Sequence, residues 1–364
     1  MQPVQPLSIA LAETLLSRYP DPDKIPWKVW CYVQGYFLVG FEKLWSYTGD
    51  PRYFDYIKKF VDQHVTADGD VRGFTGESMD DIMAGITFVI LYEKTGEEKY
   101  RKAADRVRAA FDDYPRNSDG GFWHGRALPH ELWIDGVFMG QMFLTRYGAV
   151  IGDTDSCFAE AARQIVVLAN HCRKGDSGLF LHAYDEAKRA VWADPVTGLS
   201  PEVWSEGLGW YTLILVETLH LMPVNHPDRA QLMNILLELV EGLRKVQDAK
   251  TGLWYQVVDK GNRADNWHDT SGSAMFVYAI QRAADLGYVS AEKYGPVARK
   301  GYEGIITKAV VGKDGGIDIL DACDGVCVQK SYEDYINYPK VVNAKEAVGG
   351  FLWATTIVEK PTRS

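Results

Sequence analysis

The chain has 364 residues, 46% apolar and 24% charged, enough for a large packed core and far from a disordered composition. Its formal charge of -10 repels phosphate backbones, which argues against a nucleic-acid partner, and no apolar run reaches the roughly 18 residues of a membrane span. The five cysteines (Cys31, Cys157, Cys172, Cys323, Cys327) are scattered and odd in number, so neither a disulfide framework nor a metal site is expected. The opening stretch lacks the basic and apolar regions of a secretory leader, and the expectation is a cytoplasmic protein without membrane contact.

Taken in order, two kinds of segment alternate. Residues 6–18 form an amphipathic helix, and 27–47 a helix apolar nearly all round. In 51–65, Tyr53, Phe54, Ile57, Phe60 and Val61 share one face, with Lys58, Lys59 and Asp62 opposite. The apolar segment 80–94 is followed by amphipathic 98–113, apolar 133–147 by amphipathic 155–170, and apolar 204–221 by 228–247, where Asp228 is placed to cap the helix. Apolar 270–286, then 291–307 interrupted by Pro296, then apolar 344–358 complete the chain. A helix that is apolar all round is buried on every side. Six such helices alternating with six amphipathic ones satisfy both faces as two concentric rings, an all-α (α/α)6 barrel in one domain, 1–364.

Internal repeats agree with that plan. Residues 44–53 and 91–100 share Leu-aromatic-x-x-Thr-Gly-x-x-x-Tyr, in which the Gly stops one helix and the Tyr packs the start of the next. Gly120-Gly-Phe-Trp-His124, Gly178-Leu-Phe-Leu-His182, Gly252-Leu-Trp-Tyr-Gln256 and, more weakly, Gly315-Gly-Ile-Asp-Ile319 fall in register. They read as short strands or hairpins at one end of the barrel, each offering its fifth residue.

A third repeat carries chemistry. Trp133, Trp204 and Trp267 each stand two residues before an acid, Asp135, Glu206 and Asp269, and Asp80 takes a similar place. All four acids open a buried helix, so they should ring one mouth, walled by Trp133, Trp204, Trp210 and Trp267 and overhung by His124 and His182. The simpler reading is N-capping, which contributes about 1 kcal/mol per helix. The functional one is sugar chemistry: tryptophan faces suit sugar rings, and burial raises a carboxyl pKa until it serves as a general acid near neutral pH. Asp135, in the most aromatic setting, leads.

At these residues the sequence resembles the unsaturated rhamnogalacturonyl hydrolases, glycoside hydrolase family 105, related to the unsaturated glucuronyl hydrolases of family 88. The resemblance runs from Trp30-Cys-Tyr-Val-Gln-Gly through Gly121-Phe-Trp-His124, Trp133-Ile-Asp-Gly-Val-Phe-Met139 and Ser200-Pro-Glu-Val-Trp-Ser-Glu-Gly-Leu-Gly-Trp210. It continues through 251–260 to Asn266-Trp-His-Asp-Thr-Ser-Gly-Ser273. It implies an (α/α)6 barrel and an oligosaccharide substrate ending in a 4,5-unsaturated uronic acid, whose double bond is hydrated. The catalytic acid falls on Asp135, which protonates C4 and then draws a proton from water attacking C5. Asp80 matches the second acidic position. His124, Trp133, His182, Trp204 and Trp210 match substrate-contacting positions, with Tyr32 a weaker match. One carboxyl serves both steps, unlike ordinary glycosidases with their two acids.

One position departs. The resemblance implies Arg two residues after the Trp of Ser-Pro-Glu-x-Trp, and the chain has Glu206. A guanidinium would grip the substrate carboxylate, whereas two like charges about 4 Å apart cost roughly 4 kcal/mol at an effective dielectric near 20. Glu206 therefore points away or is protonated, or the carboxylate is held elsewhere, by Arg126, Arg263, Lys340 or a protonated His124 or His182. Two other readings stay open: an inverting glycosidase or epimerase on the same barrel, and a sugar-binding protein without catalysis. No cofactor is implied, since neither Gly315-Gly316 nor Gly349-Gly350 sits in a phosphate- or dinucleotide-binding pattern. The oligomeric state and the adjoining sugar stay open.

Overall fold

The computed structural model describes residues 5–25 and 30–360. Its helices in chain order are α1 (Leu7–Arg18), α2 (Tyr32–Thr48), α3 (Pro51–His64), α4 (Met79–Met83), α5 (Ile86–Thr95), α6 (Glu98–Ala109) and α7 (Ile134–Val150). They continue with α8 (Thr154–Cys172), α9 (Ser205–Leu221), α10 (Arg229–Val246), α11 (Thr270–Asp285), α12 (Ala291–Ile306), α13 (Tyr332–Ile336) and α14 (Lys345–Glu359). The segments read as apolar all round form the inner ring. Helix α2 packs on α4, α4 on α7, α7 on α9, α9 on α11, α11 on α14, and α14 closes back on α2. The amphipathic helices α1, α3, α6, α8, α10 and α12 lie outside, each with its apolar stripe on the ring. This is the (α/α)6 barrel the alternation predicts. No helix among the described residues is long and apolar enough to cross a membrane.

The two Thr-Gly repeats end their helices as read. Gly49 and Gly96 adopt the left-handed conformation (φ 72° and 69°), which a side chain disfavours, and their N–H groups bond back to Trp45 and Tyr92. The tyrosines that close the repeats, Tyr53 and Tyr100, are buried at the starts of α3 and α6.

Three expectations need correction. The buried segment 80–94 is not one helix: Gly85 N–H bonds Ile82 and Thr87 N–H bonds Ala84, a tightened i,i+3 turn that separates α4 from α5. Asp228 makes no capping bond, because its backbone is already helical (φ -85°, ψ -6°) and its carboxyl does not reach back to the first turn. Pro296 lies within α12 without ending it. Residues 27–29 of the first buried segment lie outside the described residues, and α2 begins at Tyr32.

The short strands gather at the mouth formed by the N-termini of the inner helices. Strands β1 (Glu131–Trp133) and β2 (Ala183–Asp185) pair antiparallel, with Trp133 opposite Ala183. Strands β3 (Ala309–Val311) and β4 (Ile317–Ile319) form a hairpin, and β5 (Ala322–Cys323) pairs with β6 (Lys340–Val341). Between β5 and β6 the chain makes a strap carrying α13.

Candidate active site

Asp80, Asp135 and Glu206 are each the second residue of an inner helix, α4, α7 and α9. Asp269 stands just before α11 and is the one true cap of the four, accepting from the N–H groups of Ser271 and Gly272. Capping therefore explains Asp269 and leaves the other three for another role. Helix N-termini favour negative charge at all these positions.

The loop histidines are stapled to the same mouth. His124 N–H bonds the Glu131 carbonyl (2.7 Å), and Met79 N–H, opening α4, bonds the His124 carbonyl (3.0 Å). The His124 ring stacks on Trp133 (4.2 Å, 13°), with Nε2 3.7 Å from Asp80 Oδ1. That approach needs Gly136, where a Cβ would stand 2.7 Å from His124 Nδ1. Ile134 N–H, opening α7, bonds the His182 carbonyl (2.9 Å). The His182 ring packs on Trp204 (4.5 Å), with Nε2 3.7 Å from Asp135 Oδ1.

The strap bears on which nitrogen of His182 carries the proton. Gln329 N–H donates to the Tyr335 hydroxyl oxygen (3.3 Å), and His182 Nδ1 lies 2.7 Å from the same oxygen. Donation by the phenol to Nδ1 gives all three groups a partner and places the His182 proton on Nε2, facing Asp135. Burial holds the His182 imidazole below its ordinary pKa, in keeping with a neutral ring.

Asp135 differs from expectation. Burial pushes its carboxyl up, but His124 and His182 together outweigh burial and leave it below the ordinary aspartate value. The acid held protonated is Glu206, which is 1% exposed: burial, then Glu346 and Asp269, push its carboxyl well above the usual range. Hydrogen bonding agrees. Ser271 Oγ lies 2.8 Å from Glu206 Oε2 and 2.7 Å from Asp269 Oδ2, and one hydroxyl proton cannot serve both. The chain closes when Glu206 donates to Ser271 and Ser271 donates to Asp269. Of the alternatives for Glu206, the protonated one is thus the one the structure favours.

Sequence reasoning missed three residues here. Glu346, the second residue of α14, is buried, accepts from the Tyr32 hydroxyl (2.5 Å) and pairs with Lys345 (3.1 Å). Its helix position matches Asp80, Asp135 and Glu206, but Ala344 replaces the guiding Trp. Lys345, also 3.3 Å from Asp324, is the second; burial pushes its ammonium down, and Glu346, Glu206 and Asp324 more than restore it. Tyr335 is the third. Of the proposed cations, Arg126 is tied to Asp113 and Arg263 to Asp265, while Lys340 stands over the Trp267 ring (5.3 Å).

The aromatic residues divide. Trp133 and Trp204 flank the histidines, whereas Trp210 is 1% exposed and packs on Tyr36, Phe138 and Tyr32, so it floors the mouth instead of walling it. Trp267 donates to the Ile336 carbonyl and props the strap, as does Gln256, which reaches the Tyr335 carbonyl (3.4 Å). Val326 and Tyr335 pack with Trp204, and Val328 with Trp133, so the strap roofs the acids and the Asp135 side chain is 14% exposed. Among the described residues no group of three His, Cys, Asp or Glu side chains is arranged to hold a metal ion.

Sequence comparison supplies the family. The profile of Glycosyl Hydrolase Family 88 matches residues 9–362. A family 105 glycoside hydrolase of C. acetobutylicum ATCC 824 is 34% identical, covering 98% of this chain and 99% of that one, with a TM-score of 0.91. The unsaturated rhamnogalacturonyl hydrolase YesR of Bacillus subtilis is 24% identical over 316 residues, 85% of this chain and 84% of YesR. A 24.9 kDa protein in the picA locus of Rhizobium radiobacter is 37% identical over 156 residues, which is 43% of this chain and spans 65% of that protein. The chain belongs to the glycosyl hydrolase family 88 and 105 group.

Proposed function

We propose that the whole chain works as one catalytic unit that hydrolyses oligosaccharides ending in a 4,5-unsaturated uronic acid, by hydrating the C4=C5 bond. The observation that carries this is the Asp135 carboxyl: buried beside two aromatic walls, with an unpartnered Oδ1 facing an oriented His182 N–H. Asp135 protonates C4, which leaves an oxocarbenium-like C5. Water adds at C5 and returns its proton to the carboxylate. The resulting hemiketal opens, and the rearranged uronate releases the neighbouring sugar. Asp80, beside His124, positions substrate and water.

Asp135 must gain a proton to begin. The substrate supplies the means, since a uronate charge about 5 Å away at an effective dielectric near 20 raises the proton affinity of Asp135 by roughly 3 kcal/mol, more than a hundredfold. Neutral Glu206 does not repel that uronate. Lys345, which faces Glu206 and Glu346 in the same ring, takes the role of the missing guanidinium, with the substrate carboxylate replacing exposed Asp324 as its partner. YesR acts by its name on unsaturated rhamnogalacturonyl groups, which makes lyase products of that pectin the first substrates to try. Five free cysteines suit a reducing compartment such as the cytoplasm.

The test supplies lyase-generated unsaturated oligosaccharides and follows loss of the ultraviolet band of the conjugated double bond. Wild type should bleach it and Asp135→Asn should not, with the fold intact by circular dichroism. Wild-type rates in Asp135→Asn would sink the assignment. Turnover of saturated glycosides without bleaching would favour the inverting-glycosidase reading.

A further inference from the structure

The acids of the mouth are unequally covered. Glu206 and Glu346 are each 1% exposed, whereas the Asp135 side chain is 14% exposed and that of Asp80 34%. On the proposed chemistry, on which this inference rests, the uronate carboxylate lies at the covered end, by Lys345. The sugar to be released then lies on the open side, past Asp135 and Asp80. The groups on that side decide which leaving sugar is accepted.

Strand β1 builds that side. Successive side chains of a strand face opposite ways. Leu132 packs into the main core, so Glu131 and Trp133 share the other face, toward the mouth. Glu131 is half-buried, and its Oε2 accepts from the Trp133 indole N–H (2.9 Å), while Trp192 and His124 also stabilise its charge. Trp192 is placed by a loop wound on Asp185, which accepts from the N–H groups of Ala187 (2.8 Å), Arg189 (2.6 Å) and Ala190 (2.7 Å). Trp192 and Trp133 pack with Val328 of the strap. The exposed Cys327 beside it feels Asp135, Asp80 and Glu131 alike, so Glu131 belongs to the same opening as the two acids. Holding the Trp133 indole is the structural explanation for Glu131. It requires an acceptor, which the amide of a glutamine would also supply, and it leaves the charge unexplained.

We propose that Glu131 is a specificity-determining residue that faces the leaving sugar and selects against negative charge on it, so that a neutral sugar is released in preference to a sulfated one. A carboxylate accepts hydrogen bonds from sugar hydroxyls and repels a sulfate ester. Two like unit charges about 7 Å apart weaken binding about threefold in water and about fiftyfold at an effective dielectric near 20. The cations carried by the same two walls, Arg189 on the loop and Lys330 on the strap, are exposed, where water and salt screen them.

The probes are an unsaturated uronyl-N-acetylhexosamine disaccharide and the same disaccharide with a sulfate ester on the hexosamine. Wild type should prefer the unsulfated one by at least about threefold in kcat/KM. Glu131→Gln, which keeps an acceptor for Trp133, should lose most of that preference, and Glu131→Asp, which keeps the charge, should retain it. A structural role would lower both rates together and leave their ratio unmoved. Melting temperatures check that the variants fold. Calorimetry on Asp135→Asn, with and without Glu131→Gln, reads the same preference without turnover. Binding preference governed by Glu131 in a protein that bleaches neither disaccharide would sink the hydration chemistry and keep this selectivity. Bleaching with a ratio unmoved by Glu131→Gln, or no preference in wild type, would overturn the proposal.

Discussion

Replacing Tyr335 with Phe removes one oxygen and tests how the strap governs the chemistry beneath it. That oxygen sits 2.7 Å from Nδ1 of a His182 that is 1% exposed. Its loss leaves a buried nitrogen and the Gln329 N–H without their partner, a cost of about 1–3 kcal/mol in stability. It also frees the imidazole proton to occupy either nitrogen, so the N–H that faces Asp135 is no longer held in place. Removing a donor from a carboxylate raises its pKa, and about 1.4 kcal/mol corresponds to one pH unit. For an acid that must be protonated to act, the alkaline limb of kcat should move up by up to about one pH unit. Bleaching rates across pH and urea unfolding measure the two effects. An unmoved limb together with a stability change below about 0.5 kcal/mol would refute the assignment of the proton to Nε2.

Three more perturbations discriminate among the roles argued above. Glu206 has a folded pKa above its unfolded value, so the folded state binds the extra proton and wild type loses stability as pH rises above the ordinary glutamate range. Glu206→Gln, which keeps a donor to Ser271, should be the more stable protein at alkaline pH, with the gap closing toward acid; parallel stability curves would show Glu206 ionised. Lys345→Met should raise KM for unsaturated uronides about tenfold or more with a smaller change in kcat, whereas an unchanged KM would place the carboxylate elsewhere. Gly136→Ala puts a methyl within 2.7 Å of His124 Nδ1 and should cost about 1–3 kcal/mol in stability and displace the ring from Trp133, seen as lost activity; wild-type kinetics would mean the ring's place does not matter.

The barrel was legible because burial on all sides and burial on one side leave different patterns, and the two alternate without exception along the chain. The break between α4 and α5 was not, since it rests on a local change of hydrogen-bond spacing that apolar residues do not reveal. Three of the acids at the mouth were found through the tryptophans before them, so Glu346, preceded by Ala344, escaped, although its place as second residue of a buried helix, shared with Asp80, was the better guide. The strap carries short irregular elements with no period to read, which hid Tyr335. Protonation was assigned by burial alone. Burial acts on Asp135 and Glu206 alike, but Asp135 faces two imidazoles and Glu206 faces two carboxyls, and those partners are brought together only by folding.

Among the described residues, Trp210 closes the floor of the mouth and the strap covers the acids from above. A polymer cannot thread through a blind-ended room. On the proposed chemistry, each visit can trim only the outermost sugar, and the shortened chain must back out before anything else is admitted. Such an enzyme works one unit per encounter, a finisher of fragments and not a cutter of intact chains.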